Sequence, residues 1–116
     1  MSAPAISHPL SDHLAELIAG RFRALGDPTR IRLLDHLPGG EATVTDLADV
    51  TGTTRQNVSK QMLLLLQTGL VTRRRVGNFV CYRIADDAVF ELCAIVCGSL
   101  RNEIEQRAAH VGTTPR

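Results

Sequence analysis

Tryptophan is absent from this 116-residue chain, and tyrosine and phenylalanine supply only one and three residues. Proteins that hold single-stranded nucleic acid stack bases on aromatic side chains, so the shortage argues for duplex over single strands as a nucleic-acid partner. Three cysteines do not make the disulfide framework of a small secreted domain. No apolar run approaches the roughly 20 residues that cross a bilayer, so no membrane partner is expected. Met1 to Pro9 lacks the basic start, apolar centre and small-residue cleavage site of a signal peptide, so the protein is expected to stay in the cytoplasm. A phosphate-binding glycine loop, a nucleophile with its base and a pair of carboxylates in one cleft are all missing. Cys93 and Cys97 stand one residue too far apart for a Cys-x-x-Cys redox pair, so an enzyme is not expected.

The most informative absence is of acidic residues between positions 54 and 83. That stretch carries Arg55, Lys60, Arg73, Arg74, Arg75 and Arg83, while the whole chain has a net charge of only +1, so the remaining residues sum to −5. A locally basic surface on a nearly neutral protein gains affinity for duplex DNA by releasing condensed counterions.

Local patterning gives one domain that is mainly α with a β-hairpin (α+β). Leu14, Leu17, Ile18, Phe22 and Leu25 keep helical spacing after a cap at Ser11, and Gly26 ends that first helix. Asp27-Pro28 restarts the chain, because Asp accepts from free helical amides and Pro lacks only a donor that the first turn leaves unused. This second helix runs to about Leu37, and Pro38-Gly39-Gly40 breaks it. Val44, Leu47, Ala48 and Val50 mark a short third helix with Thr45 as its cap, closed by Gly52. A fourth helix from about Thr54 to Gly69 has Val58, Met62, Leu65 and Leu66 as its apolar stripe. The short turn between the third and fourth helices fits a helix-turn-helix.

Two runs, Leu70 to Val76 and Phe79 to Ile84, flank Gly77-Asn78 and read as a hairpin, the wing, with Asn78 in a left-handed conformation at its tip. Asp86-Asp87 opens a fifth helix that is apolar almost all round from Ala88 to Cys97, apart from Glu91. A surface helix does not have that pattern, so a twofold dimer through the first and last helices is expected. Residues 1–10 are expected to be a flexible segment, residues 11–109 the folded domain and residues 110–116 a loose tail.

The stretch Ala24-Leu25-Gly26-Asp27-Pro28-Thr29-Arg30-Ile31-Arg32-Leu33-Leu34, within this order of elements, resembles the ArsR/SmtB family of small winged-helix repressors. Val58-Ser59-Lys60-Gln61-Met62 through Gly69-Leu70-Val71 is similar to the family's reading-helix segment, and Gly77 through Tyr82-Arg83-Ile84 to its wing. Gln61 stands where the family usually has histidine. The resemblance implies a homodimeric regulator, a repressor, that binds a palindromic operator in double-stranded DNA.

A reading helix enters the major groove with its N-terminal turns. Arg55, Gln56, Ser59, Lys60 and Gln61 are therefore the candidate base readers, and Thr54 a cap or phosphate contact. In the wing, alternation sends Arg73 and Arg75 to one face and Arg74 to the other. With Arg83 across the hairpin and Asn78 at the turn, these residues are candidates for phosphate contact and for sensing groove width. A winged helix can also serve as a protein-docking or dimerisation module, but such a module does not need an acid-free, arginine-rich reading helix and wing.

The resemblance further implies release from DNA by a metal, metalloid or thiol-reactive signal. The family's third-helix thiolate site has the form ELCVCDL, where this chain has Glu41-Ala42-Thr43-Val44-Thr45-Asp46-Leu47, without either cysteine. The interhelical site begins Asp-x-His, where this chain has Asp86-Asp87-Ala88. What remains is Cys93 and Cys97, on one helix face at a spacing of four, with Cys81 on the wing as a third sulfur. Three readings stay open for them: packing, a soft metal or metalloid, and thiol oxidation. No resident cofactor is required, and an effector-independent regulator remains the alternative.

Overall fold

The computed structural model describes residues 9–113, with side chains through Ala109. Residues 1–8 of the expected N-terminal segment and residues 114–116 of the expected tail lie outside the described residues. The chain divides into two compact units between Ala85 and Asp86.

The first unit contains α1 (Asp12–Leu25), α2 (Pro28–Asp35), β1 (Ala42–Thr43), α3 (Val44–Thr51), α4 (Arg55–Gln67), β2 (Val71–Val76) and β3 (Phe79–Ile84). Capping chemistry sets each helix start. The Ser11 side chain accepts from the Leu14 amide, Asp27 from Arg30 ahead of Pro28, and Thr54 from Asn57. The third cap is Thr43 rather than Thr45. Thr43 accepts from the Asp46 amide while the Asp46 carboxylate accepts from the Thr43 amide, a reciprocal capping box that satisfies two otherwise free donors. Thr45 has Ala48 three residues on, which cannot return the bond.

At the C-terminus of α4 the Leu70 amide donates to Leu65 and the Gly69 amide to Leu66. This motif needs a left-handed residue after the cap, and Gly69 supplies it with φ 76°. Leu65 and Leu70, the residues the motif brings together, are both fully buried.

The sheet order is β1-β3-β2, all antiparallel. The two-residue β1 was not expected from sequence; it pairs Ala42 with Tyr82 and Thr43 with Cys81. The core of this unit is built from Leu33, Leu37, Leu47, Val58, Met62, Leu65, Leu70 and Val71, with Tyr82 beside them. Burying each of the larger apolar side chains stabilises the fold by about 1.5–3 kcal/mol relative to exposure. Leu66, expected on the buried stripe of α4, is only half-buried. Val71 and Tyr82 fix the base of the hairpin, and every β2 residue beyond Val71 is exposed, so the wing stands away from the core.

At the wing tip Gly77 has φ 60°, and no described non-glycine residue has positive φ. The left-handed residue is therefore Gly77 and not Asn78, which gives the φ signs of a type II′ turn, one of the two whose twist matches a hairpin.

The second unit is α5 (Ala88–Thr113), a 26-residue helix whose start is tied by the Ala88 amide to the Asp86 carboxylate. The helix continues through His110, where the loose tail was expected to begin. No described helix is long and apolar enough to cross a membrane.

Candidate nucleic-acid interface

Helix α4 buries Val58, Met62 and Leu65, and this fixes which side of its first two turns faces outward. Arg55, Gln56, Ser59 and Lys60 are all exposed, as the spacing of the buried stripe requires. No acidic residue occurs in α4, so no side chain of the helix itself offsets the partial positive charge of its N-terminus.

Gln61 differs from its neighbours. Its side-chain carbonyl accepts from Arg30 Nη1 at 2.9 Å, and its amide donates to Asn57 Oδ1 at 3.2 Å. Asn57 in turn donates to the Thr53 hydroxyl at 2.9 Å. Arg30 also donates through Nε to the Ala24 carbonyl at 2.6 Å and through Nη2 to the Arg23 carbonyl at 3.2 Å. One guanidinium thus joins the last carbonyls of α1, where a cation is favoured, to the middle of the reading helix. Gln61 thus bonds the protein through both its carbonyl and its amide nitrogen, with one N–H and one lone pair left over. Sequence reasoning missed Asn57 and Arg30 as members of this network; the four-residue spacing of Thr53, Asn57 and Gln61 is the signal that was available.

Thr54 is the helix cap, so its hydroxyl is used by the Asn57 amide at 3.0 Å.

In the wing, the register pairs Arg73 with Tyr82, Arg74 with Cys81, Arg75 with Val80 and Thr72 with Arg83. Cross-strand partners share a face, so Arg73 and Arg75 lie on one side and Arg74 and Arg83 on the other. Arg74 is held by Glu41, its Nε donating to both carboxylate oxygens at 3.0 and 2.8 Å. The Arg74 hydrogen bonds, with the charges of Arg74 and Arg83, hold the Glu41 carboxyl below the usual carboxylate range. Glu41 lies outside the acid-free stretch and offsets part of its charge.

Helix α4 and the tip of the hairpin meet across a cleft of about 320 Å³. Arg55 and Ser59 line it from α4, Thr43 to Thr45 from the start of α3, and Asn78, Phe79 and Val80 from the wing tip. The first turns of α4 and the end of the hairpin therefore present themselves on the same side of the molecule.

The thiols fall in separate units. Cys81 is half-buried in β3, Cys93 is half-buried in α5, and Cys97, one turn further along α5, is exposed. Burial, and next the proximity of Cys97, push the Cys93 thiol above its ordinary range. Among the described residues no group of three or more His, Cys, Asp or Glu side chains could hold a metal ion.

A family model described as a helix-turn-helix domain matches residues 25–74. The HTH-type transcriptional regulator NmtR of Mycobacterium tuberculosis is 36% identical over 86 residues, which are 74% of this chain and 72% of that protein. A transcriptional repressor SmtB homolog from Synechocystis is 39% identical over 87 residues, 75% of this chain and 66% of that protein. Among solved structures, the homodimeric winged helix-turn-helix DNA-binding domain (fragment 1–100) from Mycobacterium bovis has a TM-score of 0.75 and 32% identity, covering 86% of this chain and 95% of that one.

Proposed function

The chain belongs to the ArsR/SmtB family of winged helix-turn-helix transcriptional regulators, and we propose that it acts in the cytoplasm as a homodimeric repressor on an imperfect DNA palindrome. The observation that carries this reading is the shared cleft, which puts the exposed basic turns of α4 beside the wing tip with no acidic residue in α4, β2 or β3. Arg55 can grip the two major-groove acceptors of guanine and Gln56 can pair with adenine. Each good bidentate contact contributes about 1–3 kcal/mol of discrimination. Ser59 and Lys60 complete the reading surface. Arg73, Arg75 and Arg83 hold phosphate, with Arg75, nearest the turn, entering the minor groove. Arg74 has a smaller share because Glu41 already engages it.

Dimerisation through α1 and α5 is supported by what each helix leaves uncovered. Leu14, Leu17 and Phe22 are exposed on α1, and Ile95, Val96, Leu100 and Ile104 on α5. Large apolar side chains grouped in this way call for a partner surface, and a second copy related by a twofold axis provides it. Cys93, Cys97, Leu100 and Ile104 follow one stripe at spacings of four, three and four, so the thiols run into the seam that a second α5 would cover. They are the groups a soft ion or a thiol oxidant would meet there. An effector-independent regulator is a second reading, in which the thiols only pack.

Footprinting of the full chain on a duplex it selects from random sequence is expected to protect two half-sites about 34 Å apart, one helical turn. A single half-site, or protection without sequence preference, contradicts the proposal. Titrating that complex with arsenite, cadmium, zinc, peroxide and persulfide, in wild type and in a Cys93→Ser/Cys97→Ser variant, tests the effector. If none releases DNA from the wild type, the thiols only pack.

A further inference from the structure

We propose that Phe79, at the tip of the wing, is an apolar wedge for the DNA minor groove, one that opens a base step and kinks the duplex. This rests on the DNA-reading role proposed above and adds a contact that the arginines do not supply. Phe79 is 59% exposed, and Val76, its register partner on the same face, is 45% exposed. The pair closes the hairpin directly beside Gly77-Asn78. Tyr82, the buried residue that anchors β3, is three positions back, so at the rise of a strand Phe79 stands about 10 Å beyond the core. Neither residue belongs to the buried core of its unit.

The surroundings select the partner. An apolar tip that shares its face with Arg83 and the Glu41-engaged Arg74, with Arg75 next to it on the opposite face and no acidic residue in β2 or β3, matches a target that has an anionic rim and an apolar interior. A duplex minor groove, with phosphates along both edges and sugars and base edges within, is such a target. It is only about 6 Å wide, too narrow for a helix but open to the end of a hairpin that turns through one glycine with φ 60°.

The cleft adds an independent constraint. When α4 occupies the major groove and the wing the adjoining minor groove, the strand between the two grooves must pass between helix and wing, where the cleft lies. Its α3 and α4 walls offer Val44, Thr45, Arg55 and Ser59, and its wing wall offers Asn78, Phe79 and Val80. Arg55 and Ser59 on one wall and Asn78 on the other can meet the phosphates of such a strand, and Phe79 and Val80 its sugars. Apolar side chains placed in this way, phenylalanine and leucine among them, partly unstack base steps and kink DNA toward the major groove.

The test uses the full chain on a duplex that it selects from random sequence. Circular-permutation mobility reads the bend, permanganate reactivity of thymines reads unstacking, and anisotropy reads affinity. Wild type is expected to bend the duplex and expose one thymine-reactive step in each half-site. Phe79→Ala is expected to abolish both signals and lower affinity about tenfold, equivalent to about 1.4 kcal/mol. Phe79→Leu keeps bend and reactivity, which a loss through misfolding does not explain; the unchanged melting temperature of Phe79→Ala is the second control. Wild-type binding with straight, unreactive DNA overturns the wedge while leaving the regulator reading intact. So does a Phe79→Ala variant with wild-type affinity and bend, the result expected if the tip instead docks a protein. Failure of the wild type to select any duplex overturns both.

Discussion

Replacing Arg30 by alanine removes a side chain that joins the end of α1 to α4. Three hydrogen bonds go with it, to the Ala24 carbonyl at 2.6 Å, the Arg23 carbonyl at 3.2 Å and Gln61 at 2.9 Å. Hydrogen bonds to a charged group each contribute about 1.5–3 kcal/mol when buried. Water can reach the two α1 carbonyls once the guanidinium is gone, so we expect a total loss of about 2–3 kcal/mol. For a chain of this size that lowers the melting temperature by roughly 8–12 °C. Gln61→Ala loses one of those bonds and its bond to Asn57, for about 1–2 kcal/mol. The two residues share a bond that can be lost only once, so the double variant is expected to be less destabilised than the sum of the singles by about 1 kcal/mol. Urea denaturation of the four proteins at one fixed protein concentration measures this, since a dimer's stability depends on concentration. Additivity within about 0.3 kcal/mol would refute the network as an energetic link. A second readout separates positioning from base reading: Gln61→Ala should weaken binding to selected and random duplex by similar factors, whereas a base reader changes their ratio.

Thr43→Ala removes the cap of α3 and is expected to cost about 1 kcal/mol in urea denaturation, while Thr45→Ala should stay within about 0.5 kcal/mol of wild type; the reverse order would return the cap to Thr45. Glu41→Gln frees Arg74 and is expected to tighten binding to random duplex and to steepen the salt dependence by about one counterion. Because the Glu41 carboxyl is held below its unfolded range, the ion pair's contribution to stability is present above the unfolded carboxylate pKa. It is lost as pH falls through the lower folded value, so wild type and Glu41→Gln should converge in stability only in acid. Ile95→Glu places a charge at a position 70% exposed on α5 and is expected to give monomers in sedimentation with an unchanged helical spectrum; a dimer that persists would exclude that face from the interface.

The features that could be read from sequence are those fixed by near neighbours. Ser11, Asp27-Pro28 and Thr54 mark helix starts because a cap bonds an amide two or three residues on, and Gly77-Asn78 between alternating runs marks a hairpin. Thr43 belonged to the same class. The Asp three residues after it was the visible sign of a capping box, outweighed by the apolar periodicity that begins at Val44. What remained hidden depends on pairs distant in the chain. Gln61 meets Arg30 across 31 positions and Arg74 meets Glu41 across 33, and β1 exists only because β3 runs beside it. Two residues have too little pattern of their own to be recognised as a strand. For the candidate interface, the basic, acid-free stretch supplied the candidate residues. The structure leaves Arg55, Gln56, Ser59 and Lys60 exposed and bonds Gln61 to Arg30 and Arg74 to Glu41.

The central claim is tested most directly by the ratio of affinities for a selected palindrome and a scrambled duplex, measured by anisotropy across a range of salt for wild type, Arg55→Ala and Arg75→Ala. The account predicts a wild-type preference of at least about 10³ and a steep fall of affinity with salt. Arg55→Ala should lose mainly preference, and Arg75→Ala should lose affinity for both duplexes alike and lower the salt slope by about one. Equal binding of both duplexes by the wild type, or an affinity indifferent to salt, would contradict it.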